Sequence, residues 1–232
     1  MKTRPLKIKV SPSIGNVSAE YLLPANAKCI LALAHGAGAG MNHPFMVALA
    51  NSLSDTGIAT LRFNFPFAEN KKGSPDRPAV AHATIEAAIT KAHQLSKGLP
   101  VFAAGKSFGG RMSSQYLSTH PESLVKGIIF YGFPLHAPGK PSTDRAAHLK
   151  EVKVPMLFLQ GTRDALAQWD LIESVCSSLP KATLIKIQGA DHSFKAGKTN
   201  TTEILSKDTN HWIEKLLKRG AVNLPGTLTA TS

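Results

Sequence analysis

Apolar residues along this chain fall into short unbroken runs separated by polar, glycine-rich breaks. Residues 29–34, 101–104 and 125–131 each predict a buried strand, because a strand covered on both faces has no polar side to alternate with, and 58–65, 154–160 and 183–187 predict three further strands. Residues 6–10 and 17–23 do alternate, with Pro12 and Gly15 between them, and predict an antiparallel hairpin at a sheet edge. Between the runs the period changes. Phe45, Leu49 and Leu53 mark a helix over 41–56 that Gly57 stops, and Ile85, Ala88, Ile89, Ala92 and Leu95 mark one over 79–97. Residues 111–120 and 168–179 are helix-compatible, 144–150 predict a short helix, and Trp212, Ile213, Leu216 and Leu217 face inward from a last helix over 201–219. The polar stretch 68–78 predicts a mobile loop and 132–142, with three prolines, an irregular one. Strands alternating with helices after an initial hairpin predict an α/β fold: a mostly parallel central sheet, helices on both faces and right-handed crossovers. Residues 1–220 read as a single domain and 221–232, small and polar, as a frayed tail.

Composition narrows this picture. With 232 residues and 43% hydrophobic content the chain can bury one large core but not two. It has no run of eighteen apolar residues, so no membrane span is expected. The basic start, Met1 to Leu6, leads into no apolar stretch, and no signal peptide is expected. Cys29 and Cys176 lie far apart in apolar surroundings, which predicts core thiols in a reducing cytoplasm rather than a disulfide or a metal site. The excess of 27 Lys and Arg over 15 Asp and Glu gives a net charge of +12. The basic residues are scattered and carry no nucleic-acid-reading motif, so a solvated basic surface is expected and no nucleic-acid partner; an anionic substrate stays open.

The chemistry concentrates where runs end. The run 101–104 passes directly into Gly105-Lys106-Ser107-Phe108-Gly109, a G-x-S-x-G between a strand and a helix. A turn this sharp strains the serine backbone, and the flanking glycines remove the Cβ atoms that would collide there. The hydroxyl is left exposed, and the Phe108 N–H at the helix start is placed to meet developing negative charge. Two other readings compete. A phosphate-binding G-x-x-x-x-G-K would need glycine at position 100, which is proline; Ser107 could also be a plain helix cap.

The other strand ends bear on that choice, because all parallel strands open onto one edge. After 154–160 comes Gly161-Thr162-Arg163-Asp164, and after 183–187 comes Gly189-Ala190-Asp191-His192-Ser193-Phe194. An imidazole can take the serine proton near neutrality, and a buried carboxylate can fix the ring's tautomer. Ser107, His192 and Asp164 fit the roles of nucleophile, base and acid. Asp191 is nearer in sequence, but adjacent side chains diverge, and it reads as a turn-former. The loop His35-Gly36-Ala37-Gly38-Ala39-Gly40 should supply the second oxyanion donor, Ala37 N–H first and Gly36 N–H next. A dinucleotide turn would need G-x-G-x-x-G and an acid on the next strand; the spacing is G-x-G-x-G, and Arg62 and Asn64 lie there. His35 comes too early in the chain for the base and reads as structural.

With these residues in place, the chain resembles the α/β-hydrolase superfamily over nearly its whole length. More narrowly it resembles the small dienelactone-hydrolase-like group that includes testis-expressed protein 30. The stretches 42–46, 62–67 and 134–141 carry that likeness, beside Gly161–Asp164 and Asp191–Phe194. Dienelactone hydrolases commonly use cysteine where this chain has Ser107. The resemblance implies an α/β-hydrolase fold without a large cap domain, since 132–154 is short. It also implies a serine esterase acting on a small-molecule ester or thioester, with no metal or organic cofactor. A non-catalytic scaffold for partner binding and a small peptidase are the alternatives. Phe67, Phe133 and Leu135 are expected to line an acyl pocket, and His43, His136 and Lys140 to meet a polar or anionic group.

Overall fold

In the computed structural model, which describes residues 2–222, one sheet of 8 strands runs through the molecule in the order β1-β2-β4-β3-β5-β6-β7-β8. The strands are β1 (Lys2–Ser11), β2 (Gly15–Leu23), β3 (Cys29–Ala34), β4 (Ile58–Phe63), β5 (Val101–Lys106), β6 (Val125–Tyr131), β7 (Met156–Gly161) and β8 (Ala182–Ile187). β1 and β2 form the expected antiparallel hairpin, and β2 meets β4 antiparallel as well. From β4 to β8 every pairing is parallel.

The central strands are buried on both faces, which is why their sequences run unbroken rather than alternating. Along β3, Ile30, Ala32 and Ala34 join one core with Ile85 of α3 (Pro78–Ser96), Met112 of α4 (Phe108–Thr119) and Ile172 of α5 (Trp169–Ser177). Cys29, Leu31 and Leu33 point the other way. They pack with Met46 and Leu49 of α1 (Pro44–Asp55) and with Trp212 and Ile213 of α6 (Thr201–Val222). Trp212 fits because residue 127 is glycine: a Cβ there would lie 2.9 Å from the indole.

Some boundaries differ from expectation. β5 continues two residues past Ala104, so that Ser107 follows the strand directly, and α4 begins at Phe108 rather than Arg111. The stretch 68–78 opens inside a short helix, α2 (Pro66–Glu69), and is tied back by Asp76, whose carboxylate accepts the Phe67 N–H at 2.9 Å. Glu69 pins the same segment to β2 by accepting from the Ser18 N–H and hydroxyl. Between β6 and β7 there is only a 3-10 helix, Asp144–Glu151, and no cap domain. The tail expected from 221 begins inside α6, and 223–232 lie outside the described residues.

Candidate active site

The site lies at the crevice where β4 and β5 depart on opposite sides of β3, the topological switch point of the sheet. At Ser107 the backbone adopts φ 50 and ψ −115, a conformation few non-glycine residues take. Its two glycines are required by contact. A Cβ on Gly105 would sit 2.3 Å from the Gly110 nitrogen, and one on Gly109 would sit 2.6 Å from the His35 oxygen. The turn therefore packs strand, helix and the neighbouring loop closer than any side chain permits.

His192 reaches Ser107 from the far end of the sheet. Its Nε2 stands 2.8 Å from Ser107 Oγ, and its Nδ1 2.7 Å from Asp164 Oδ2. With Nδ1 donating to the carboxylate, Nε2 is free to accept the serine proton. Asp164 is buried, and three donors surround it. Besides His192, Gln160 Nε2 donates to Oδ2 at 2.6 Å and the Leu166 N–H to Oδ1 at 2.8 Å. Asp191 does not reach the imidazole. Its Oδ1 accepts the N–H groups of Ser193 and Lys195 at 2.8 and 2.9 Å and closes the turn that carries His192. That turn is locked against the end of β7, because a Cβ on Gly161 would meet the Ala190 oxygen at 2.3 Å.

The loop after β3 stands beside the serine: Gly36 comes so close that a Cβ on it would be 3.7 Å from Ser107 Cβ. The Ala37 and Phe108 N–H groups have no protein acceptor among the described residues, and both residues line the cavity that Ser107 opens into. His35 is fully buried. Its Nε2 accepts the Phe65 N–H at 3.0 Å, which leaves Nδ1 to donate to the Gly36 oxygen at 2.8 Å. Burial pushes its pKa down to about 4, so this neutral ring braces the loop as a structural residue.

The cavity beside Ser107 has a volume of about 380 Å³ and is lined by Pro134, Leu166, Met112, Arg111 and Arg145 among others. None of the six residues expected to meet the substrate is on its wall. Phe133 is buried against Phe130 and Phe158, and Leu135 is fully buried in the same core. Pro134 lines the cavity, while Phe133 and Leu135 on either side of it are packed into the core. His136 is buried too, its Nδ1 donating to the Ala137 oxygen and its Nε2 accepting the Gln168 N–H at 3.1 Å. It holds one loop to the next instead of meeting a ligand. His43 and Phe67 line a second cavity that shares Ala37 with the first, while Lys140 is exposed and lines neither.

Four contributors were not foreseen. Gln160 links Asp164 to the Phe133 N–H, and its signal in the sequence was a polar residue closing an apolar run. Lys106, beside the serine, sets its amine 5.5 Å from the centre of the Phe194 ring. Burial pushes its pKa down to about 8, against the pull of Asp164 and Asp191. Arg111 and Arg145 are the others, and only the first carried a signal, one helical turn after Ser107. Among the described residues no group of three or more His, Cys, Asp or Glu is arranged to hold a metal, and no helix is long and apolar enough to cross a membrane.

A family model described as an α/β-hydrolase domain matches residues 27–217. The chain belongs to the α/β-hydrolase family. Solved structures agree on the fold of this α/β hydrolase. A dienelactone hydrolase from Anabaena variabilis superposes with a TM-score of 0.71 at 19% identity, covering 93% of this chain and 99% of that one. An α/β serine hydrolase without a lid from Xanthomonas campestris gives 0.67 at 19%, over 98% and 97%. The esterase domain of a Rhodothermus marinus protein gives 0.71 at 13%, over 93% and 99%.

Proposed function

We propose that this α/β hydrolase cleaves a carboxylic ester or thioester of a small molecule through Ser107, His192 and Asp164. The observation that carries the reading is one unbroken hydrogen-bond path, from Ser107 Oγ to His192 Nε2 at 2.8 Å and from His192 Nδ1 to Asp164 Oδ2 at 2.7 Å. Solved structures whose own descriptions are serine hydrolase and esterase add support at the level of fold.

In this mechanism His192 Nε2 takes the Ser107 proton as Oγ bonds to the acyl carbon. The carbonyl electron pair moves onto oxygen, where the Phe108 and Ala37 N–H groups meet it. Collapse breaks the bond to the alcohol or thiol, which leaves with the proton held on His192. Water then repeats the sequence: His192 takes its proton, the hydroxide adds to the acyl carbon, and Ser107 departs with that proton restored. Asp164 keeps the imidazole oriented and stabilises its cationic form.

The test is Ser107→Ala. This variant should lose labelling by a fluorophosphonate probe, and hydrolysis of para-nitrophenyl butyrate and a butyryl thioester should fall by more than about a thousandfold. Its circular dichroism should match the wild type. Wild-type protein that takes no label and turns over neither substrate would overturn the proposal. Cleavage of an aminoacyl amide in preference to both would redirect it to a peptidase.

A further inference from the structure

Arg111 and Arg145 share the cavity with Ser107, and neither guanidinium has a carboxylate partner among the ion pairs of the described residues. Arg111 Nε is buried without an acceptor, a costly arrangement for a charged donor. Arg145 is fixed in place: its Nη1 donates at 3.0 Å to the oxygen of His136, itself tied at both ring nitrogens. The two positive charges oppose each other, so that burial first and Arg145 second lower the pKa of Arg111. No neighbour relieves this. His148, bonded to Ser114 Oγ, is kept neutral by burial and by the nearby Arg111 and His82, its pKa down at about 4. Asp76 also lines the cavity, but one of its oxygens accepts the Phe67 N–H and it lies beyond ion-pair distance of both guanidiniums.

We infer that Arg111 and Arg145 form an anion subsite, and that the substrate is an ester or thioester carrying a second, oxyanionic group such as a carboxylate or phosphonate. This rests on the reading of Ser107 as nucleophile. A planar guanidinium pair matches the oxygens of such a group, and a ligand would supply the acceptors the protein withholds. The apolar wall of Met112, Pro134 and Leu166 would take the carbon chain between the two ends.

The experiment compares three para-nitrophenyl esters of similar length: the neutral hexanoate, the monoanionic adipate half-ester and a phosphonohexanoate. Wild-type kcat/KM should favour one or both anionic esters, and the larger preference assigns carboxylate or phosphonate. Arg111→Met and Arg145→Met should each reduce the anionic-to-neutral ratio by roughly 10- to 100-fold through KM. Arg111→Lys should restore part of it. Lys153→Met, which removes an exposed charge elsewhere, should leave the ratio unmoved and so separates a local site from the overall basic field. Free adipate should also raise the melting temperature of wild type but not of either Arg→Met variant, a readout independent of turnover. Hydrolysis of all three esters at equal efficiency, with no adipate shift, would overturn the subsite and leave the hydrolase standing. An adipate shift without any hydrolysis or probe labelling would sink the nucleophile and keep the subsite.

Discussion

At the scale of single residues, the cost of keeping a charge close to Ser107 is set by Lys106. Between about pH 8, where it titrates when folded, and 10.5, where it titrates free, the folded protein binds fewer protons here than the unfolded chain. This group's penalty is therefore full below pH 8 and fades as pH rises through that window. Lys106→Met should be more stable than wild type at pH 7 by about 1–2 kcal/mol, once partial exposure of the amine is allowed for. Urea unfolding should show the gain shrinking toward pH 10.5; an equal gain at both ends would contradict the assignment. The candidate site was legible in the sequence at this scale for a plain reason. Ser107, Asp164 and His192 each follow closely on an apolar run, and strand ends of a parallel sheet share one edge. Phe133, Leu135 and His136 were misplaced because an irregular segment has no period to reveal which side faces inward. Gln160 is marked only as a polar residue closing an apolar run, and Arg145, bonded to the His136 oxygen of the same irregular segment, is marked by nothing local.

At the scale of elements, the decisive contact is between α4 and the ends of β3 and β5. A methyl group on Gly109 would press within 2.7 Å of the Ala34 oxygen as well as on His35, so the helix would have to retreat and carry Ser107 with it. Gly109→Ala should destabilise the protein by about 1–3 kcal/mol and abolish probe labelling. Gly38→Ala, on the same glycine-rich loop but with nothing within 4 Å of the added Cβ, should change stability by less than about 0.5 kcal/mol. Thermal melts of the two variants side by side check the contrast. The existence of strand, turn and helix could be read from composition. Their precise ends could not, because Gly105 and Lys106 extend β5 through backbone pairing with Phe130 and Tyr131, which residue type does not encode.

For the whole molecule, stability depends on closing both faces of the sheet. α6 covers one of them through Trp212, whose ring packs edge-on to Phe102 at 6.2 Å and whose Nε1 donates to Thr183 Oγ1 at 3.3 Å. Trp212→Ala should cost about 3–5 kcal/mol. In urea its loss of probe labelling should coincide with unfolding; labelling lost well before unfolding would mean that α6 shapes the site rather than the core. The layered architecture was legible because strands buried on both sides must be apolar nearly throughout, as β3 is along its length and β7 is up to Gln160. The strand order was not, since nothing in the string places β4 between β2 and β3.

Much of the cavity wall and the groups proposed to react belong to different parts of the chain. Pro75, Pro134 and Leu166 come from connections and Arg145 from the short 3-10 helix, whereas Ser107, Asp164 and His192 follow the carboxyl ends of β5, β7 and β8. Connections can be exchanged while a sheet stays intact. Libraries confined to 70–78 and 133–145 should accordingly diversify what is accepted while the proposed Ser107, His192 and Asp164 path is inherited unchanged, making selectivity a graftable property of this scaffold.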